Sequence, residues 1–83
     1  MNEYQSKLLK AAYDNYLKNS GTLTSLTVSG QRWFYYTEAL IRLQDEEYVI
    51  VDENTDLETQ SLDSSPLIYQ LTGKGLAYCR QHY

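Results

Sequence analysis

The sequence predicts a small α+β domain, and three observations carry that reading. Two long segments, residues 3–19 and 30–45, repeat apolar side chains at spacings of three and four, the period of a helix buried on one face. Two short apolar runs, 48–51 and 67–71, have strand length and flank a polar, acidic stretch at 53–65 that holds no aromatic residue. A chain of 83 residues without a domain linker or internal repeat supplies one domain, so residues 1–83 are taken as a single unit.

In the first helix Tyr4, Leu8, Leu9, Ala12, Tyr13, Tyr16 and Leu17 mark the apolar face. Asn2 with Gln5 three positions on predicts a capping box, in which each side chain takes the other's amide. Glu3 and Lys18 suit the helix dipole at its two ends, and Gly21 is placed to supply a left-handed stop. Residues 22–28 contain the β-branched Thr22, Thr24, Thr27 and Val28, which are weak in helices. They predict a scrap of strand and then one irregular helical turn, with Leu23, Leu26 and Val28 pointing inward.

Ser29 is the expected cap of the second helix, 30–45. Its inward stripe is Trp33, Tyr36, Leu40 and Leu43, with Ala39 beside it; Gln31, Arg32, Tyr35, Glu38 and Arg42 fall on the open face. Tyr48 to Val51 is a short strand, 53–65 a long mobile loop, and Leu67 to Leu71 a second strand. Pro66 stands at the edge of that strand, where a missing N–H is tolerated. Thr72 caps a final helix from Gly73 to about His82.

A hydrophobic content of 42% is globular rather than disordered. The one cysteine, Cys79, cannot form an internal disulfide and fits a reducing compartment and a core position. No apolar run approaches the roughly 20 residues of a membrane span. Glu3, Lys7, Lys10 and Asp14 interrupt the N-terminal segment, which excludes a signal-peptide core. A cytoplasmic protein without a membrane partner is the expectation.

Charge is unevenly placed. Residues 43–73 hold eight acids and no Lys or Arg, a balance of −8, whereas the remainder holds seven basic residues and three acids, a balance of +4.

Two stretches resemble winged-helix proteins. Leu40-Ile41-Arg42-Leu43-Gln44-Asp45-Glu46-Glu47-Tyr48-Val49 is similar to the exit of their recognition helix, and Tyr69-Gln70-Leu71-Thr72-Gly73-Lys74-Gly75 to their return from the wing into the last helix. Small bacterial and prophage proteins of the YjcQ type look most similar, over about half of the chain. The resemblance implies a winged helix: helix, short turn or helix, helix, β-hairpin wing, C-terminal helix. This chain departs from the pattern at Glu47, where the family has glycine, and in a wing without basic residues.

The residues offer little to catalysis. His82 is the only histidine and sits one residue from the end, and one His with one Cys cannot build a zinc site. There is no glycine-rich phosphate loop, and Asp45-Glu46-Glu47 lacks the spacing of a calcium loop. The expectation is a non-enzyme without cofactor, metal or small-molecule substrate.

Two readings of function remain. Winged helices commonly bind DNA, and here Gln31, Arg32 and Tyr35 open the second helix where such helices read bases, with Arg42 and Lys74 as further cations. The bland alternative is that Arg32 pairs with Glu38, and Lys74 with a wing carboxylate. Against DNA stands the acidic wing, because affinity for duplex comes mainly from neutralising phosphates. Asp52, Glu53, Asp56, Glu58 and Asp63 instead suit a basic protein surface, as in phage-type inhibitors or regulatory adaptors, and Phe34 and Tyr35 are aromatic candidates for a protein contact. The leading expectation is an interaction module with a protein partner or a second copy of itself; the alternative is a DNA-binding regulator reading DNA with residues 30–45.

Overall fold

The structure, a computed structural model, describes residues 1–20, 23–27, 32–53, 55 and 66–83. Its elements are α1 (Glu3–Asn19), β1 (Thr24–Leu26), α2 (Arg32–Asp45), β2 (Val49–Val51), β3 (Leu67–Leu71) and α3 (Gly73–His82). Three helices therefore pack with a three-stranded antiparallel sheet of order β1-β3-β2, a small α+β domain. The short helical turn expected after β1, the Ser29 cap, Gly21 and most of the 53–65 loop lie outside the described residues.

α1 starts as its sequence dictates. The Asn2 side chain accepts from the Gln5 amide at 2.8 Å, and Gln5 accepts from the Asn2 amide at 2.9 Å. This reciprocal bond also explains why Gln5 can be buried: both its polar environment and its backbone are satisfied. The helix ends at Asn19, as expected. Ser20, not Gly21, takes the left-handed C-cap conformation, and its amide donates to Tyr16. Leu17, assigned to the inward face, is 63% exposed. It lies about 180° around the helix from Leu8, so it belongs to the opposite side once the drift of a 3.6-residue period is counted.

β1 corrects a second assignment. Thr24 is buried and Leu23 exposed, the reverse of the expected pattern. Register is the reason: Thr24 pairs with Tyr69 and Leu26 with Leu67, so these alternate residues share the inner face and Leu23 is turned out.

The inward stripe of α2 holds in full: Trp33, Tyr36, Ala39, Leu40 and Leu43 are all buried. Leu8, Leu9 and Ala12 of α1 meet Leu40, Leu43, Val49, Leu67, Tyr69 and Cys79 in one core. Two side-chain bonds lock the sheet and α3 onto α1. The buried Tyr69 hydroxyl donates to the Leu8 carbonyl at 2.6 Å, and the Cys79 thiol lies 3.7 Å from the Leu9 carbonyl.

The strand expected from Tyr48 begins instead at Val49. Tyr48 belongs to the exit of α2, where its amide donates to the Leu43 carbonyl at 2.9 Å. Leaving the helix there requires a left-handed residue, and Glu47 supplies it with φ 67°.

Candidate interaction surface

The exit of α2 and the start of α3 are tied together by several hydrogen bonds. Thr72 caps α3, its hydroxyl accepting from the Gly75 amide at 3.0 Å, and the same hydroxyl donates to the Glu47 carbonyl. The Thr72 amide donates to the Tyr48 carbonyl at 3.1 Å. Lys74 reaches back across the turn: its ammonium donates to the Glu46 carbonyl at 2.7 Å and stands 4.5 Å from the centre of the Tyr48 ring. Its partners among the described residues are thus a backbone carbonyl and a ring face, with no carboxylate in an ion pair. Tyr48 in turn meets Tyr78 edge-on at 5.4 Å, and Tyr78 stacks on His82 at 4.1 Å. The Cys79 thiol is buried on the inner side of α3, and that burial pushes its pKa up to about 11.

Beside this junction lies a concavity of about 580 Å³ lined by Gln44, Glu47, Val49, Ile50, Thr72 and Lys74. Strand β2 forms one wall. The bonds from Asp52 to Ile68 and from Thr72 to Tyr48 direct the polar groups of Ile50 toward β3 and those of Val49 and Val51 away from it. Gln44 takes the Val51 amide on that outer edge at 3.0 Å. Nothing in the sequence announced this groove, because it is assembled from residues nearly 30 positions apart whose joining depends on the Gly75 approach to Tyr48.

Of the acidic residues singled out in the sequence, Asp52 is half-buried and follows β2, its amide donating to Ile68 at 2.8 Å and its carbonyl accepting from Thr55 at 2.9 Å. Glu53 is exposed; Asp56, Glu58 and Asp63 lie outside the described residues. Asp45, Glu46 and Glu47 are exposed at the α2 exit. Among the described residues the ion pairs are Lys7–Glu3 at 3.0 Å and Arg42–Glu38 at 3.3 Å, so neither uses these acids.

The candidate nucleic-acid residues are dispersed. Gln31 is outside the described residues, and Arg32 is exposed in the first turn of α2, with no acid in that turn. The pKa of Lys7 on α1 is raised chiefly by its bond to Glu3, and the charge of Arg32 opposes that shift. Arg42 pairs with Glu38, which removes Glu38 as the Arg32 partner considered above. Ten helical residues, roughly 15 Å at 1.5 Å each, separate Arg32 from Arg42. Along this open side Arg32, Glu38, Arg42 and Asp45 alternate in sign.

Phe34 is 51% and Tyr35 55% exposed. They are not equivalent. Tyr35 stacks on Tyr4 of α1 at 5.3 Å with an interplanar angle of 16°, whereas Phe34 touches the edge of the buried Trp33 ring. Ile41, two turns from Phe34, adds a third exposed apolar side chain to the α2 surface.

No helix among the described residues is long and apolar enough to cross a membrane. No group of three or more His, Cys, Asp or Glu among them is placed to hold a metal ion. No protein-family model, curated protein or solved structure matches the chain.

Proposed function

We propose that the protein is a non-enzymatic interaction module of winged-helix type, whose acidic side binds a basic surface on another protein. The element order α1-β1-α2-β2-β3-α3, with β2 and β3 as the wing hairpin, supports the fold assignment. One observation carries the functional reading: Asp45, Glu46, Glu47 and Glu53 are exposed and meet no cation in an ion pair among the described residues, in a stretch of chain that holds no Lys or Arg at all. Lys74, on the adjoining turn of α3, is bonded to a backbone carbonyl and makes no ion pair with these carboxylates among the described residues. A basic partner would supply the missing charge, and complementary charge of this kind steers association and rejects like-charged competitors.

A second reading is DNA binding through α2. It is favoured by Arg32, a cation in a first helical turn whose dipole disfavours it. An arriving phosphate would relieve that arrangement.

The two readings part in one experiment. On the first, random duplex DNA binds with a dissociation constant weaker than about 100 μM at physiological salt, the weak end of non-specific binding. Changing Asp52, Glu53, Asp56, Glu58 and Asp63 to Asn or Gln then strengthens it. On the second, selection from random duplexes yields an enriched motif bound at nanomolar strength and lost on Arg32→Ala, with wing neutralisation of little effect. Such a motif would replace the first reading by the second.

A further inference from the structure

The outward face of α2 sets two exposed apolar side chains among charges that alternate in sign. Phe34 is 51% and Ile41 39% exposed. Phe34, Glu38, Ile41 and Asp45 fall within about 60° of one line along the helix, with Arg42 beside it and Arg32 in the first turn. In chain order the exposed charges are positive at Arg32, negative at Glu38, positive at Arg42 and negative at Asp45. A partner of one sign fits this row badly. A phosphate backbone would meet Glu38 and Asp45, and a basic peptide would meet Arg32 and Arg42. The row does have one natural match: reversed, it is its own complement.

We infer that α2 pairs with α2 of a second copy of this chain, antiparallel about a two-fold axis between residues 38 and 39. Arg32 then comes level with Asp45 of the second copy. Phe34 comes within two residues of Ile41 of the second copy, and Glu38 within three of Arg42, offsets of about 3 and 4.5 Å along the axis that side chains span. The Glu38–Arg42 pair of each copy, 3.3 Å apart, is kept and joins its symmetry mate in a ring of four alternating charges. Phe34 and Ile41 gain cover from water. A parallel pair would set like charges together, so the same row fixes the direction of pairing. The contact uses one patch on both copies and closes at two. It covers the helix that the second reading above would lay against DNA. Glu47 and Glu53, beyond the end of α2, are left to a basic partner, so the dimer stands or falls apart from that reading.

One helix face is smaller than the roughly 1,200 Å² that stable complexes bury, so a weak dimer is expected. Sedimentation equilibrium from about 10 μM to about 1 mM should show reversible association of two chains. Ile41→Gln should weaken it at least about ten-fold by removing apolar contact. Charge reversal tests the pairing. Glu38→Arg and Arg42→Glu each set like charges across the axis, and each alone should dimerise at least about five-fold more weakly. Mixed in equal amounts they restore both cross-pairs and should form a heterodimer tighter than either forms with itself. Nonspecific charge predicts otherwise. From the parent net charge of −4 the two variants go to −2 and −6, so repulsion would be least for Glu38→Arg with itself. Both side chains are exposed, and exposed ion pairs add little stability, so each variant should fold. A mass of one chain throughout, unchanged association of Ile41→Gln, or Glu38→Arg associating as tightly alone as in the mixture would overturn the inference. So would a monomer whose α2 amides shift on adding random duplex DNA or an Arg-Arg-Arg peptide, which would assign this face to that partner.

Discussion

A β-carbon on Gly75 would stand 2.0 Å from the carbonyl oxygen of Tyr48 and 3.0 Å from its carbonyl carbon. The obstacle is backbone, which cannot rotate aside as a side chain does. Gly73, two residues earlier in the same helix, has nothing within 4 Å of the same position. One glycine is required by a close approach and the other is not.

The two glycines should therefore respond oppositely to alanine. Gly75→Ala forces α3 off the α2 exit and should cost about 1–3 kcal/mol, the usual range for overpacking. For a domain this small that is a fall in Tm of roughly 4–8 °C per kcal/mol. Gly73→Ala should stabilise by up to about 1 kcal/mol, since alanine restricts the unfolded chain and suits a helix. Thermal melts of the two variants side by side check this; equal losses would show that the approach at Tyr48 is not the constraint.

Glu47 holds a left-handed backbone at φ 67°, where a side chain costs on the order of 1 kcal/mol. Glu47→Gly should raise stability by about 0.5–1 kcal/mol, relief of that strain exceeding the greater freedom of unfolded glycine. Glu47→Ala, which keeps a β-carbon, should give no such gain. Urea midpoints for the pair measure it.

Trp33 is 2% exposed on the inner side of α2. Trp33→Ala should cost about 3–5 kcal/mol and leave the domain unfolded or molten. Its indole Nε1 is buried and has no hydrogen-bond partner among the described residues, so Trp33→Phe strands no partner and should cost distinctly less. Near-UV circular dichroism and chemical unfolding distinguish the two.

Alkaline pH should destabilise the fold through groups that are neutral when protonated. Burial raises the Cys79 thiol from 9.0 to about 11 and raises the Tyr69 phenol as well. Above the unfolded thiol value the folded state retains a proton that the unfolded chain has released, so stability falls with rising pH. The Cys79 contribution is complete below about pH 9 and is lost as pH passes about 11. Urea midpoints across that window should fall less steeply for Cys79→Ala than for the parent chain; parallel curves would remove Cys79 from the account.

What the sequence disclosed and what it hid have separate physical causes. Asn2 with Gln5, Thr72 with Gly75 and the stripe from Trp33 to Leu43 are local relationships, set within a few residues by backbone geometry, and all three are present. At the end of α1 the left-handed cap is Ser20, a residue without the glycine signal that the sequence offers at position 21. Thr24 displaced Leu23 because the inner face of a three-residue strand is fixed by its partner, Tyr69, rather than by its own pattern. The charge imbalance of residues 43–73 was fully legible, yet the groove beside it was not, since Gln44, Ile50 and Lys74 come together only through tertiary contact. The role of Lys74 was hidden for the same reason: a bond to a backbone carbonyl leaves no complementary residue to find.

The bonds from Tyr69 to the Leu8 carbonyl and from Cys79 to the Leu9 carbonyl span 61 and 70 positions of the chain. They join α1 to β3 and α3, far from it in the chain. A ribosome extending this chain has already released α1 while β3 and α3 are still inside its exit tunnel. Until they emerge, Leu8 and Leu9 lack the part of their surroundings that Leu67, Tyr69 and Cys79 supply. The domain therefore completes its core only when β3 and α3 have been made and can close on α1.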